Sequence, residues 1–168
     1  MTFRHWWSNV RIVLRSRYVL ALVAVPLAGT AACLTTARVS DAHGGQMATR
    51  KVRVGTVTLT AEVADTPTLR ARGLMGRTSL PAGTGMLFVF NGEASDGFYM
   101  YRTLLPLSIA FVRSGRVVTV REMTPCSEVD SQRCEIYRAD SAYTEAVEAP
   151  EGTFRNAGTR PGDMIEFD

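Results

Sequence analysis

Histidine is almost missing from this chain. The two present, His5 and His43, both precede residue 51, where the folded part is expected to begin. A domain without imidazole excludes Ser-His-Asp and Cys-His catalysis, histidine general-base chemistry and the common zinc sites. Lysine is nearly missing too. Lys51 is the single lysine among 19 basic residues, a skew that GC-rich coding explains and that carries no chemistry. There is no P-loop, no G-x-G-x-x-G, no C-x-x-C and no paired-carboxylate motif with an identifiable context. No catalytic residue, metal ligand or cofactor is assigned. The absences favour a non-enzyme, although carboxylate, arginine, tyrosine and hydroxyl groups remain for catalysis.

A net charge of +3 over 168 residues is misleading when read as one figure. Residues 1–33 carry Arg4, Arg11, Arg15 and Arg17 and no acid; the remainder holds 15 basic and 16 acidic residues. The domain itself is therefore slightly acidic, which gives no argument for a nucleic-acid partner. The basic start is followed by an uncharged run from Tyr18 to Ala37. Small residues Thr30-Ala31-Ala32 then precede Cys33. Basic, apolar, small is the order of a secretory signal. The segment resembles a bacterial lipoprotein signal with Cys33 as the lipidated residue, Thr30 standing where an aliphatic residue is usual. Two other readings stay open: an uncleaved membrane anchor, since twenty uncharged residues can span a bilayer, and simple secretion. All three place the domain outside the cytoplasm. Residues 1–33 are read as signal or anchor. Residues 34–50, small and polar, are read as a flexible tether, and residues 51–168 as one domain.

That domain is expected to be mainly β, a compact antiparallel sandwich or barrel with one or two short helices. Val52 to Val63 is rich in β-branched residues and reads as two strands joined at a Gly55 turn, or as one strand with a bulge there. Thr66-Pro67 offers a hydroxyl N-cap and a proline in the first turn, so a short helix should follow, with Leu69 and Leu74 inward and Arg70 and Arg72 outward. Met86–Phe90 (MLFVF) is apolar throughout, which predicts a strand covered on both faces. Phe98–Tyr101 reads as an aromatic strand. Leu107–Phe111 and Val117–Val120 read as a hairpin turning at Arg113-Ser114-Gly115-Arg116. Glu145–Ala149 is a further strand, and Arg160-Pro161-Gly162-Asp163 a type II turn.

Cys126 and Cys134 flank a polar loop, CSEVDSQRC. In an oxidising compartment such a pair reads first as a structural disulfide, worth roughly 2.5 kcal/mol by loop-closure arithmetic. A reversible redox pair and a thiolate metal site stay open. Glu128 and Asp130 nearby disfavour the low-pKa thiolate that redox work needs.

Gly73-Leu74-Met75, Gly85-Met86-Leu87-Phe88-Val89-Phe90, Phe98-Tyr99-Met100 with Thr103, Pro106-Leu107, Pro125-Cys126 and Arg160-Pro161-Gly162-Asp163 occur in this order. In these motifs, over roughly residues 52–167, the chain resembles the DUF192 (UPF0127) family. The resemblance implies a compact, mostly antiparallel β-fold that is often exported or membrane-attached in bacteria, and it implies no activity. Tyr101 and Arg102 stand where the family commonly has Lys-Asn, and Ser108 where an Asp is common.

The candidate ligand face is the stretch after the aromatic strand: Tyr99, Tyr101, Arg102 and Thr103, with Arg72 added as an anion-binding group. Strand alternation would turn Phe98 and Met100 inward and Tyr99 and Tyr101 the other way. Arg77 and Arg121 are further cations that could join an anion pocket, a solvated charged face being the ordinary alternative. Met75, Met86 and Met100 could hold Cu(I), but gap-filling in a core is the commoner use of methionine. The expected function is binding of a small ligand, glycan or envelope partner without catalysis. The alternatives are a carboxylate and arginine enzyme acting on envelope carbohydrate, and a structural accessory subunit.

Overall fold

In the computed structural model the chain is described over residues 47–168. The expectations for residues 1–33, including Cys33, and for most of the tether lie outside the described residues. Within them, no helix is long and apolar enough to cross a membrane.

Nine strands and two short helices follow one another: β1 (Thr49–Val54), β2 (Val57–Ala64), α1 (Pro67–Arg72), β3 (Thr84–Ala94), β4 (Phe98–Tyr99), β5 (Leu107–Arg113), β6 (Arg116–Met123), β7 (Ile136–Tyr137), β8 (Tyr143–Pro150), α2 (Thr153–Asn156) and β9 (Ile165–Phe167). Seven strands form one sheet in the order β6-β5-β8-β3-β2-β1-β9, and β4 pairs with β7 in a ribbon of its own. The mainly β architecture is the expected one. One pairing departs from an antiparallel arrangement: β2 and β3 run parallel, Thr60 to Ala64 beside Thr84 to Phe88. Parallel neighbours need a crossover, and α1 with its flanking turns supplies it.

The sheet curls until its two edges meet. Arg116 on β6 bridges Met164, beside β9. The Val117 N–H donates to the Asp163 carbonyl at 2.9 Å, and the Gly162 N–H to the Val117 carbonyl at 2.8 Å. Inside the curl lies a core fed by every one of the seven strands, among them Val52, Leu59, Leu87, Ala110, Val117, Val147 and Ile165, with Phe154 of α2. Alternate residues of the same central strands form a second core on the outer face: Met86, Phe88, Leu107, Ile109, Phe111 and Ala146, with Leu74, Met100 and Tyr137 laid over them. The period-two alternation of strands explains the division. It also explains why MLFVF is apolar throughout, since that segment serves both cores.

Local chemistry fixes the elements over the outer face. Thr66 caps α1 by accepting the Leu69 N–H at 3.2 Å, as its sequence predicts. Arg70 does not point outward as expected. Its guanidinium donates to the carbonyls of Asp65 and Val89, both at 2.8 Å, and lies over the Phe90 ring at 5.0 Å. The arginine thus fastens α1 to β3. The aromatic strand is shorter than expected: Phe98 and Tyr99 alone pair with β7, and Tyr101 makes an isolated bridge to Cys126. Cys126 and Cys134 are joined, with Cα atoms 5.7 Å apart. Their loop leads straight into β7, so it anchors the strand that holds β4 in place.

Candidate functional site

A cavity of about 270 Å³ opens between α1, the β4 segment and the outer face of the sheet. Its walls are largely aromatic: Phe88 and Phe90 from β3, Phe98 and Tyr99 from β4, and Tyr143 from β8. These rings hold each other edge-on. Phe88 and Phe98 stand 5.0 Å apart at 90°, Phe90 and Tyr143 5.2 Å apart at 89°, the geometry that aromatic quadrupoles favour. Leu74 and Met75, at the exit of α1, complete the apolar lining. The polar groups are few: Arg70, Arg72, Asp96, Thr103 and Glu148.

Glu148 is the unusual one. It occupies the middle of β8, opposite Met86 on one neighbour and Ile109 on the other, and only 5% of its surface is exposed. Among the described residues its carboxyl has neither a hydrogen-bond donor nor an ion-pair partner. Desolvation alone pushes its pKa from 4.5 up to about 8. A carboxyl kept neutral at the foot of a cavity is the kind of group that marks functional sites. Its strand also comes unusually close to β3. A Cβ at Gly85 would lie 2.3 Å from the Glu148 carbonyl oxygen, so that position has room only for glycine.

Tyr143 frames the same cavity. Its hydroxyl donates to the Asp96 carbonyl at 2.6 Å. Burial, and then the nearby Asp96 charge, raise its pKa to about 12, so it stays neutral as a hydrogen-bonding phenol. The β4 wall needs another glycine. A Cβ at Gly97 would meet Ile136 at 2.1 Å, across the β4–β7 pair.

Of the candidates named from the sequence, Tyr99, Thr103 and Arg72 line this cavity, and Tyr101 and Arg102 do not. The Tyr101 hydroxyl reaches the Val129 carbonyl of the disulfide loop at 3.3 Å, and the Arg102 guanidinium lies 5.1 Å over the Tyr101 ring. Arg102 has a φ of 55°, a left-handed conformation in which asparagine is favoured over most side chains. The asparagine common there in the family is thus explained by the backbone. Position 102 turns the chain, its carbonyl accepting the Gly76 N–H at 2.9 Å, and Thr103 follows into the cavity. The four arginines weighed for an anion pocket do not converge. Arg77 grips Glu62 with two bonds of 2.7 and 2.6 Å, a contact that holds the Glu62 carboxyl below its usual range. Arg121 pairs with Asp140 at 2.5 Å. Met86 and Met100 are buried in the outer core, and Met75 lines the cavity. Ser108, fully buried, donates to Glu122 at 2.8 Å, away from the cavity.

Glu148 was missed in the sequence because it lies in YTEAVEAP, where a second glutamate, Glu145, stands three residues away. One of two such residues in a half-buried strand ordinarily faces water. Regular pairing with β3 and β5 sets Glu148 beside Met86 and Ile109, on the face that the outer core covers.

The neutral carboxyl has a consequence for stability. Between about pH 4.5 and about 8 the folded chain holds a proton on Glu148 that the unfolded chain has released. Stability therefore falls as pH rises through that window, by up to about 1.4 kcal/mol per pH unit. Glu62 acts only below the ordinary carboxylate range and Tyr143 only above the ordinary phenol range, so neither masks the slope. Glu148→Gln should flatten the dependence of melting temperature on pH and raise the melting temperature at pH 8. An unchanged slope in that variant would show that Glu148 titrates as an ordinary carboxylate.

Comparison with known proteins places this geometry. No curated protein matches the chain. Two solved structures are similar. One is a proposed transcription regulator from Sinorhizobium meliloti 1021, 31% identical, with a TM-score of 0.66, over 74% of this chain and 98% of that one. The other is a protein of unknown function from Novosphingobium aromaticivorans DSM 12444, 30% identical, with a TM-score of 0.63, over 75% of this chain and 89% of that one. The model of the family DUF192, described as "Uncharacterized ACR, COG1430", matches residues 47–167, which takes in every strand and both helices. The chain belongs to the DUF192 family.

Proposed function

We propose that this protein is an extracytoplasmic, membrane-tethered binding module whose outer-face cavity captures a small ligand from the cell envelope. One observation carries the reading: an aromatic-walled cavity with a buried, uncompensated carboxyl, Glu148, at its foot. Leaving such a group without a partner costs stability, and a ligand that supplies the partner would offset that cost. About 270 Å³ lies at the small end of ligand pockets and suits one sugar ring or a molecule of similar size. The location rests on residues 1–33, whose basic, apolar, small order is that of an export signal, and fits a cysteine pair placed for a disulfide. The regulator name belongs to the Sinorhizobium protein. The 15 basic and 16 acidic residues past residue 33 supply no charge argument for DNA binding here.

A second reading has a specific support. Glu148 has the raised pKa that keeps a general acid protonated at neutral pH, and Asp96 is a second acidic residue on the same cavity, the pair that hydrolysis of envelope carbohydrate would require.

Thermal melting of the full chain against envelope sugars, carboxylic acids, amines and amino acids tests the binding reading. A true ligand at a hundredfold over its Kd stabilises by about 2.7 kcal/mol. Recovery of that ligand unchanged supports binding; its consumption moves the site to the enzyme reading. Silence across the panel would contradict both. Intact mass of the mature protein tests the location: a chain starting at a lipid-modified Cys33 is expected, and a chain retaining Met1 excludes cleavage.

A further inference from the structure

The charges around the cavity allow the ligand class to be narrowed, an inference that rests on the small-ligand reading above. Two acids and two arginines line it: Glu148, Asp96, Arg70 and Arg72. Arg70 is already committed, to two backbone carbonyls and to the Phe90 ring. Arg72 is exposed and makes no salt bridge among the described residues. Glu62 lies near enough to feel its charge, but that carboxylate is held by both arms of Arg77. The cavity therefore presents an unpartnered carboxyl at its foot and an uncommitted guanidinium on its lining.

We propose that the cavity takes a small zwitterion of the amino-acid type, its ammonium group against the Glu148 carboxylate and its carboxylate against Arg72. Each alternative leaves one of the two groups without an ionic partner. An uncharged sugar supplies a counter-charge to neither. A simple acid meets Arg72 and leaves Glu148 protonated, without an ionic partner. A simple amine meets Glu148 and leaves Arg72 without a counter-ion. Aromatic walls favour a cation near their ring faces, and Leu74 and Met75 offer apolar surface to a side chain.

The arrangement predicts a particular pH dependence. Met86 and Ile109, opposite Glu148 on the adjoining strands, carry no charge. The titratable or charged groups that share the cavity are Arg70 and Arg72 from α1, Asp96 and Tyr99 beside or in β4, and Tyr143 on β8. Tyr143 stays neutral across the neutral range. Glu148 starts protonated there and must lose its proton to meet an ammonium group. Binding therefore expels one proton, and affinity should rise by about tenfold per pH unit from pH 6 toward pH 8.

The test is calorimetric titration of the full chain with the common amino acids at pH 6 and pH 8. For the best binder, its amide (no carboxylate) and its N-acetyl derivative (no ammonium) follow. Expected are tighter binding at pH 8 by at least about tenfold, and a loss of at least about tenfold for each blocked derivative. Glu148→Gln should bind the amino acid and its N-acetyl derivative equally poorly, and Arg72→Gln should bind the amino acid no better than its amide. Circular dichroism melting of both variants establishes that they are folded. An N-acetyl derivative that binds as well as its parent, or binding of uncharged sugars with amino acids inert, would overturn the zwitterion while leaving a small-ligand site in place. Inertness of every class would remove both.

Discussion

A carboxyl lies in the middle of a strand that is buried on both sides. Strand β8 is flanked by β3 and β5 and covered by the inner core on one face and the outer core on the other. Every other buried side chain of these three strands is apolar or, at Ser108 and Tyr143, carries a hydroxyl with a partner. Glu148 alone is charged by nature, and the protein meets the resulting desolvation by keeping it protonated. Replacing it by an apolar residue of similar size would be the simpler way to build this sheet. Its place beside an open cavity is the observation on which the proposed binding role rests.

The surroundings of that carboxyl are held with some rigidity. Gly85 lets β3 approach the Glu148 backbone. Arg70 clamps α1 onto β3 through two carbonyls and an aromatic ring. The opposite wall, β4, is too short to stand alone and depends on β7, which in turn follows the Cys126–Cys134 loop. Tyr137 reinforces this side, its hydroxyl lying 3.1 Å from the Thr124 amide that donates to it and 3.0 Å from Glu135. A site framed in this way resembles a preformed pocket, in which the ligand fits existing walls and needs little ordering on binding.

Much of the architecture was readable from the chain because the relevant signals are local. The N-cap at Thr66, the hairpin turn at Ser114-Gly115 and the apolar MLFVF strand each depend on a few adjacent residues. The features that were not readable depend on long-range pairing. The parallel β2–β3 pair arises from the path of α1, which no pattern in either strand records. Arg70 appears to a helix wheel as a solvent-facing charge, yet its partners are nineteen residues away in β3 and five away before α1. The site was half visible: Tyr99, Thr103 and Arg72 line the cavity, whereas the left-handed turn at Arg102 directs its own side chain and that of Tyr101 elsewhere. Glu148 was hidden because its face of β8 is covered by residues from distant segments, Leu74 and Met100 among them.

The proposed site depends on one chemical state, and that state can be observed at a single atom. Carbon-13 NMR of the Glu148 side-chain carboxyl in the full chain, assigned by comparison with Glu148→Gln, gives its titration directly. The account predicts a midpoint near pH 8 in the empty protein and a marked downward displacement when an amino acid occupies the cavity. A midpoint near 4.5 in the empty protein, the ordinary value for a glutamate, would contradict it.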